Sequence, residues 1–212
     1  MNTIPVLWLV VIWIVNFGIS WWNAYACGKS WVETKHIGGW RRFMSWMGAI
    51  MSASGFTWCY LVILLFGGYY AQSGFIQPGH APILTEHELQ AGFSIGYLIL
   101  IPGILFSGLM IWLDSLIQAW RRRDLPSIGI AAWNTYAQIH NTYSAFSGIS
   151  GALKSIKGTF GKGSKNGAKG LALVLIIVLV VFAIFGGVFT TWGIISHYAG
   201  TEPLPSRRPE QA

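Results

Sequence analysis

Between Thr85 and Arg123 the chain carries an apolar run whose two ends can both be read from chemistry, and this run restricts the fold more than any other feature. Ala91 to Leu113 contains no charged side chain, and a run of roughly 20 such residues suffices to cross about 30 Å of hydrocarbon as a helix. Upstream, Thr85-Glu86-His87-Glu88 fits a capping box, with Leu84 and Leu89 placed to close a hydrophobic staple over it. Downstream come Asp114, an interfacial Trp120 and the cluster Arg121-Arg122-Arg123, followed by Asp124-Leu125-Pro126. The segment predicts a membrane-spanning helix whose arginine end faces the cytoplasm. Gly92, Gly96, Gly103, Ser107 and Asp114 recur on one face at steps of four and seven, the small-residue pattern that lets helices approach closely in lipid. Pro102 is expected to bend the axis at mid-membrane.

Three further apolar runs have the required length. The spans are placed at about residues 4–26, 43–70, 86–120 and 170–196, so the expected fold is an all-α polytopic membrane protein with four transmembrane helices. Composition agrees, because 53% hydrophobic and only 10% charged residues in 212 cannot cover a soluble globule of that size. The whole chain, 1–212, then forms a single membrane domain.

The net charge of +7 lies in the connections. Lys29, Lys35, Arg41 and Arg42 fall between spans one and two; Arg121 to Arg123, Lys154, Lys157, Lys162, Lys165 and Lys169 fall between three and four. Only Arg207 and Arg208 lie elsewhere, so the balance predicts both termini outside, and a bacterial inner membrane is the expected location. Charge placed this way orients helices and gives no reason to expect nucleic acid. The first span is expected to be retained rather than cleaved as a signal peptide, since no basic residue precedes it and Trp21-Trp22 occupy the place of small residues.

The first two spans also carry internal faces. Asn16, Ser20, Asn23 and Cys27 recur at four, three and four residues, and Gly48, Ser52, Gly55 and Cys59 repeat the device, so both stripes should point into protein. Cys27 and Cys59 sit at different depths and read as packing residues. His80 and His87 with Glu86 and Glu88 form the one grouping suited to zinc or copper, yet the two glutamates already serve a helix start, so neither metal nor other cofactor is expected. Two fragments, Gly28-Lys29-Ser30 and Gly158 to Ser164, brush against a phosphate loop but follow no strand. Asp114 is expected to pair with Arg121 at the cytoplasmic edge.

From Ser127 to Lys169 the pattern changes. Trp133, Tyr136, Tyr143 and Phe146 head an apolar stripe recurring every three or four residues, with polar residues between. It predicts a cytoplasmic amphipathic helix lying in the membrane interface or on a partner helix, with Gly148 or Gly151 as a candidate break. A glycine and lysine linker follows, expected to meet anionic phospholipids at the cytoplasmic face. Residues 200–212 read as an external tail.

No residue set specifies a reaction, and no small-molecule substrate is identified. The expected function is a non-enzymatic structural or assembly subunit of a larger membrane complex, as in envelope-spanning secretion or conjugation machines. Its partners would be other membrane proteins or further copies of itself. A homo-oligomeric pore lined by Asn16, Ser20, Asn23 and Asp114, and a membrane enzyme with an outer-face metal site, are the alternatives.

Overall fold

The computed structural model describes residues 6–34, 39–67, 84–161 and 167–201, and among these every regular element is helical. Helix α1 spans Val6–Thr34. Helix α2 spans Gly39–Leu61 and widens into a π turn over Val62–Gly67. Helix α3 covers Glu86–Arg122, α4 covers Leu125–Phe160 and α5 covers Gly167–Thr201. Four of them are long and apolar enough to cross a membrane: Leu9–Val32 of α1, Gly39–Gly67, α3, and Gly170–Ala199 of α5.

The start of α3 forms through the local chemistry its sequence contains. The Thr85 amide donates to the Glu88 carboxylate at 2.8 Å, and the Glu88 amide donates to the Thr85 hydroxyl at 3.4 Å. Leu84 and Leu89 are both buried beside this box, so it is anchored to the core as well as hydrogen-bonded. Pro102 lies inside α3, which continues through it.

Helix α2 is the centre of the bundle and runs antiparallel to α1, α3 and α5. Gly55 of α2 meets Asn16 of α1 while Ser45 meets Ser30. On another side Leu65 meets Gly92 of α3 and Ser54 meets Gly103. On a third, Thr57 meets Gly187 of α5 while Ser52 meets Thr191. Phe56, Leu61 and Leu65 of α2, with Ile176 of α5, are the largest fully buried side chains.

Helix α4 returns along α3. The turn between them needs only Arg123, in the left-handed region at φ 54°, and Asp124, whose carboxylate accepts the Ser127 amide at 2.8 Å and caps α4. The pairing then runs the length of both helices. The Trp112 indole donates to Thr135 at 2.8 Å, the Tyr97 hydroxyl to the Ser144 carbonyl at 2.7 Å, and the Thr159 hydroxyl to the His87 carbonyl at 3.4 Å. No break occurs at Gly148 or Gly151.

The direction of the last helix departs from expectation. Termini that share one end require α5 to run opposite to α3, but the two are parallel, because α4 has carried the chain back to the Glu86 end. Val6 therefore lies at the Glu86 end of the bundle, and Thr201 at the Arg122 end.

Candidate functional site: the seams between helices

The sites expected from sequence are helix faces, and the fold assigns each face a neighbour. On α1, the Asn16 amide donates to the Gly55 carbonyl at 3.0 Å and to Cys59 Sγ at 3.3 Å. The Ser52 hydroxyl, buried, donates to the Ser20 carbonyl at 2.8 Å and lies 3.2 Å from the Thr191 hydroxyl, drawing α5 into the same seam. Further along, Cys27 Sγ donates to the Ser45 carbonyl at 3.5 Å, and a side chain at Gly48 would stand 2.5 Å from that sulfur. The stripes therefore face each other because both repeat at four, three and four residues, which keeps an antiparallel pair in step over about three turns. Asn23 is half-buried and takes no part in this ladder among the described residues.

The stripe of α3 is used against the opposite side of α2. Gly92 admits Ile176 and Leu65, Gly96 admits Leu61, and Gly103 admits Ser54 and Ile50. The buried Ser107 returns its hydroxyl to the Gly103 carbonyl at 2.6 Å and lies 3.9 Å from Met51 Sδ. Asp114 binds the Trp40 indole at 2.6 Å and the Gln118 amide at 2.5 Å, in place of the expected Arg121. Two helical turns, roughly 10 Å, separate Asp114 from Arg121, whereas Trp40 opens α2 directly across the seam. Asn16 and Asp114 thus lie on opposite faces of α2, roughly 25 Å apart along it by helical rise. They are not brought to one path.

The closest helix approach was not among the expected residues. A side chain at Gly187 would stand 2.6 Å from the Ala53 carbonyl oxygen and 2.7 Å from the Thr57 amide nitrogen, both backbone atoms of α2. Gly186 meets the Tyr60 ring, and Tyr60 bonds Thr190 at 2.8 Å. The signal was present in the most apolar span as Ala183, Gly187 and Thr191, small residues at steps of four.

The α3–α4 seam turns the small and polar residues of α4 inward. Ala131, Ala145 and Ala152 are buried against α3, and Gly148 receives the Tyr97 ring. Gln138 packs over Gly108 and donates to Thr142 at 3.4 Å, while its Oε1 is buried without a hydrogen-bond partner among the described residues. Trp133, Tyr136, Tyr143 and Phe146 all point away from the bundle, Tyr143 74% exposed and Phe146 72%. His140 stacks on Tyr136 on this outward side, with ring centroids 6.1 Å apart.

The chemistry these seams support is packing and hydrogen bonding. Cys27 and Cys59 are free thiols, both buried. Among the described residues no three of His, Cys, Asp and Glu gather as metal ligands. His87 is exposed beside the cap, Glu88 is engaged in it, and His80 lies outside the described residues. At the α3–α4 turn, the hydrogen bonds from Ser127 hold the Asp124 carboxyl below its ordinary range. No protein-family model matches the chain, and neither a characterised protein nor a solved structure is detectably similar to it.

Proposed function

We propose that this chain is a non-enzymatic structural or assembly subunit of a larger complex in a bacterial inner membrane, and that the outward face of α4 is where another subunit docks. The small-residue stripes, which on sequence alone suggested surplus docking faces, are consumed within the chain, so they no longer support the reading. What carries it is the composition of the α4 face: α1 and α5 also expose long faces, but from Val10 to Ile19 and from Leu171 to Phe189 the large exposed side chains are aliphatic or phenylalanine, whereas those of α4 include polar groups. Tyr136, His140 and Tyr143 stand there beside Trp133 and Phe146, at the level of the charge-free middle of α3.

Acyl chains offer no partner to a phenol or an imidazole, and a polar group left unpaired at that depth is costly. A neighbouring helix presenting hydroxyl, amide or carboxylate side chains would satisfy them while covering the aromatic rings. Aromatic residues with a polar end are also those enriched at protein interfaces. Machines that move macromolecules across the envelope are one class that uses such subunits. The lysines between 154 and 169 would hold anionic headgroups nearby, at about 1 kcal/mol for each close to the surface.

The test is native mass spectrometry of protein extracted from its own membrane in mild detergent. A stoichiometric protein partner, lost in the double variant His140→Leu and Tyr143→Leu, is the expected result. A clean monomer carrying only lipid would overturn the proposal.

A further inference from the structure

We infer that α4 crosses the bilayer, so that the chain traverses it five times and its two termini lie on opposite faces. Helices α3 and α5 are both long and apolar enough to span, and they run parallel on the same side chains of α2: Gly92 of α3 and Ile176 of α5 meet at Leu65. Two parallel spans that follow one another in sequence require the chain to come back through the membrane between them. Only α4 lies between them, and it is 36 residues long, about 54 Å at helical rise.

The residues of α4 fit that passage. From Leu125 to Leu153 there is no Asp, Glu, Lys or Arg, which exceeds the roughly 20 residues a crossing needs. The registered pairs place Thr135 beside Trp112 and Ser144 beside Tyr97, so Trp133 to Leu153 lies alongside the charge-free part of α3. Much of its polarity is turned away from lipid, with His140, Ser147, Ser150 and the phenols of Tyr136 and Tyr143 the outward exceptions. Ser127, Thr135, Gln138 and Ser144 face α3 or are half-buried, while the large apolar and aromatic side chains face out. Charge resumes only at the ends, with Asp124 and the arginines at one and Lys154 and Lys157 one turn apart at the other. Near a helix end such lysines reach to the headgroups.

More than half of its residues are Gly, Ala, Ser, Thr, Asn or Gln, which lowers its mean hydropathy, and many of them, such as Ala131, Gln138, Ala145 and Ala152, are turned inward. The consequence for orientation is specific. Among the described residues the Arg122 end carries Lys29, Arg41, Arg42 and Arg121 to Arg123, and the Glu86 end carries Lys154 and Lys157. The majority keeps the Arg122 end cytoplasmic, and the C-terminal tail joins it. The glycine and lysine linker moves to the outer face, where its contact is with headgroups of the outer leaflet.

The experiment is single-cysteine labelling of the full chain in sealed cells with a membrane-impermeant maleimide, at Gly38→Cys, Gln77→Cys, Ser164→Cys and Ser206→Cys. Native Cys27 and Cys59 are buried and serve as the background control. Labelling that groups position 164 with 77, and 206 with 38, is expected, with the first pair reacting from outside. Grouping of 164 with 38 and of 206 with 77 is the four-crossing pattern and overturns the inference. A C-terminal fusion to a fluorescent protein that folds only in the cytoplasm gives a second reading: bright cells agree with five crossings, and dark cells with an active alkaline phosphatase fusion contradict them.

Discussion

Replacing Gly187 by alanine isolates the contact on which the α2–α5 seam depends. The new Cβ would meet the Ala53 carbonyl oxygen at 2.6 Å and the Thr57 amide nitrogen at 2.7 Å, where ordinary contact begins near 3.4 Å. Neither atom can rotate away, so the two helices must part by several tenths of an ångström. That movement stretches the bonds flanking the contact, Ser52 to Thr191 at 3.2 Å and Tyr60 to Thr190 at 2.8 Å. Overpacking of this kind costs about 1–3 kcal/mol. Alanine in place of glycine returns up to about 1 kcal/mol of helix propensity, so the single variant alone would blur the two effects.

Gly193 on the same helix supplies the control, since nothing stands within 4 Å of a side chain there. Propensity cancels between Gly187→Ala and Gly193→Ala, and the remaining difference is the steric cost. The assay is reversible unfolding in mixed micelles with increasing dodecyl sulfate, followed by the fluorescence of the 12 tryptophans. Gly193→Ala should equal or exceed the parent, and Gly187→Ala should fall about 1–3 kcal/mol below Gly193→Ala. Equal stability of the two variants would refute the close approach, and with it the packing of α5 on α2.

Other substitutions separate the remaining seams. Asn16→Ala removes both bonds of the α1–α2 clasp and should cost about 0.6 kcal/mol, at most about 1.7, on the same unfolding assay, as interhelical bonds in lipid do; a larger loss would mean that Asn16 does more than join helices. Gln138→Leu removes a buried oxygen with no partner at the price of one long bond to Thr142, and should stabilise the protein by about 1 kcal/mol or more; a loss would show that the oxygen has a partner. Asp124→Asn tests the turn. The Asp124 carboxyl is held below 3.8 by Ser127, so its cap is fully formed above that value and is lost as pH falls through the lower folded value. Thermal stability measured from pH 6 to pH 3 should fall less steeply in Asp124→Asn, which keeps a capping oxygen that does not titrate.

What could be read from the sequence was whatever depends on neighbours in the chain. The Thr85 capping box, the span of α3 and the four-three-four stripes of α1 and α2 each follow from spacing within one helix. Which helix a stripe meets does not, and Asp114 shows the cost: its nearest basic residue on the same face is Arg121, but its partner comes from 74 positions away at Trp40. Helix α4 shows a second limit. The aromatic period through Trp133, Tyr136 and Tyr143 is legible, but period alone does not say whether the apolar face is the inside or the outside. In water it would be buried; here Ala131, Ala145 and Ala152 occupy the inside, and the rings point out. A helix laid in the membrane interface, as that stripe suggests, omits one traverse of the bundle and reverses the end at which α5 begins.

Helix α4 folds back along α3 from one end of the bundle to the other. Pulsed electron paramagnetic resonance between spin labels at His87→Cys and Thr159→Cys, in a Cys27→Ala and Cys59→Ala background reconstituted in lipid, measures it directly. The Thr159 hydroxyl lies 3.4 Å from the His87 carbonyl, so a single narrow distance below about 25 Å, allowing for two label tethers, is the predicted result. A helix leaving the Arg122 end across the membrane surface, at right angles to α3, would put the labels more than about 50 Å apart by helical rise alone, and that distance would contradict this fold.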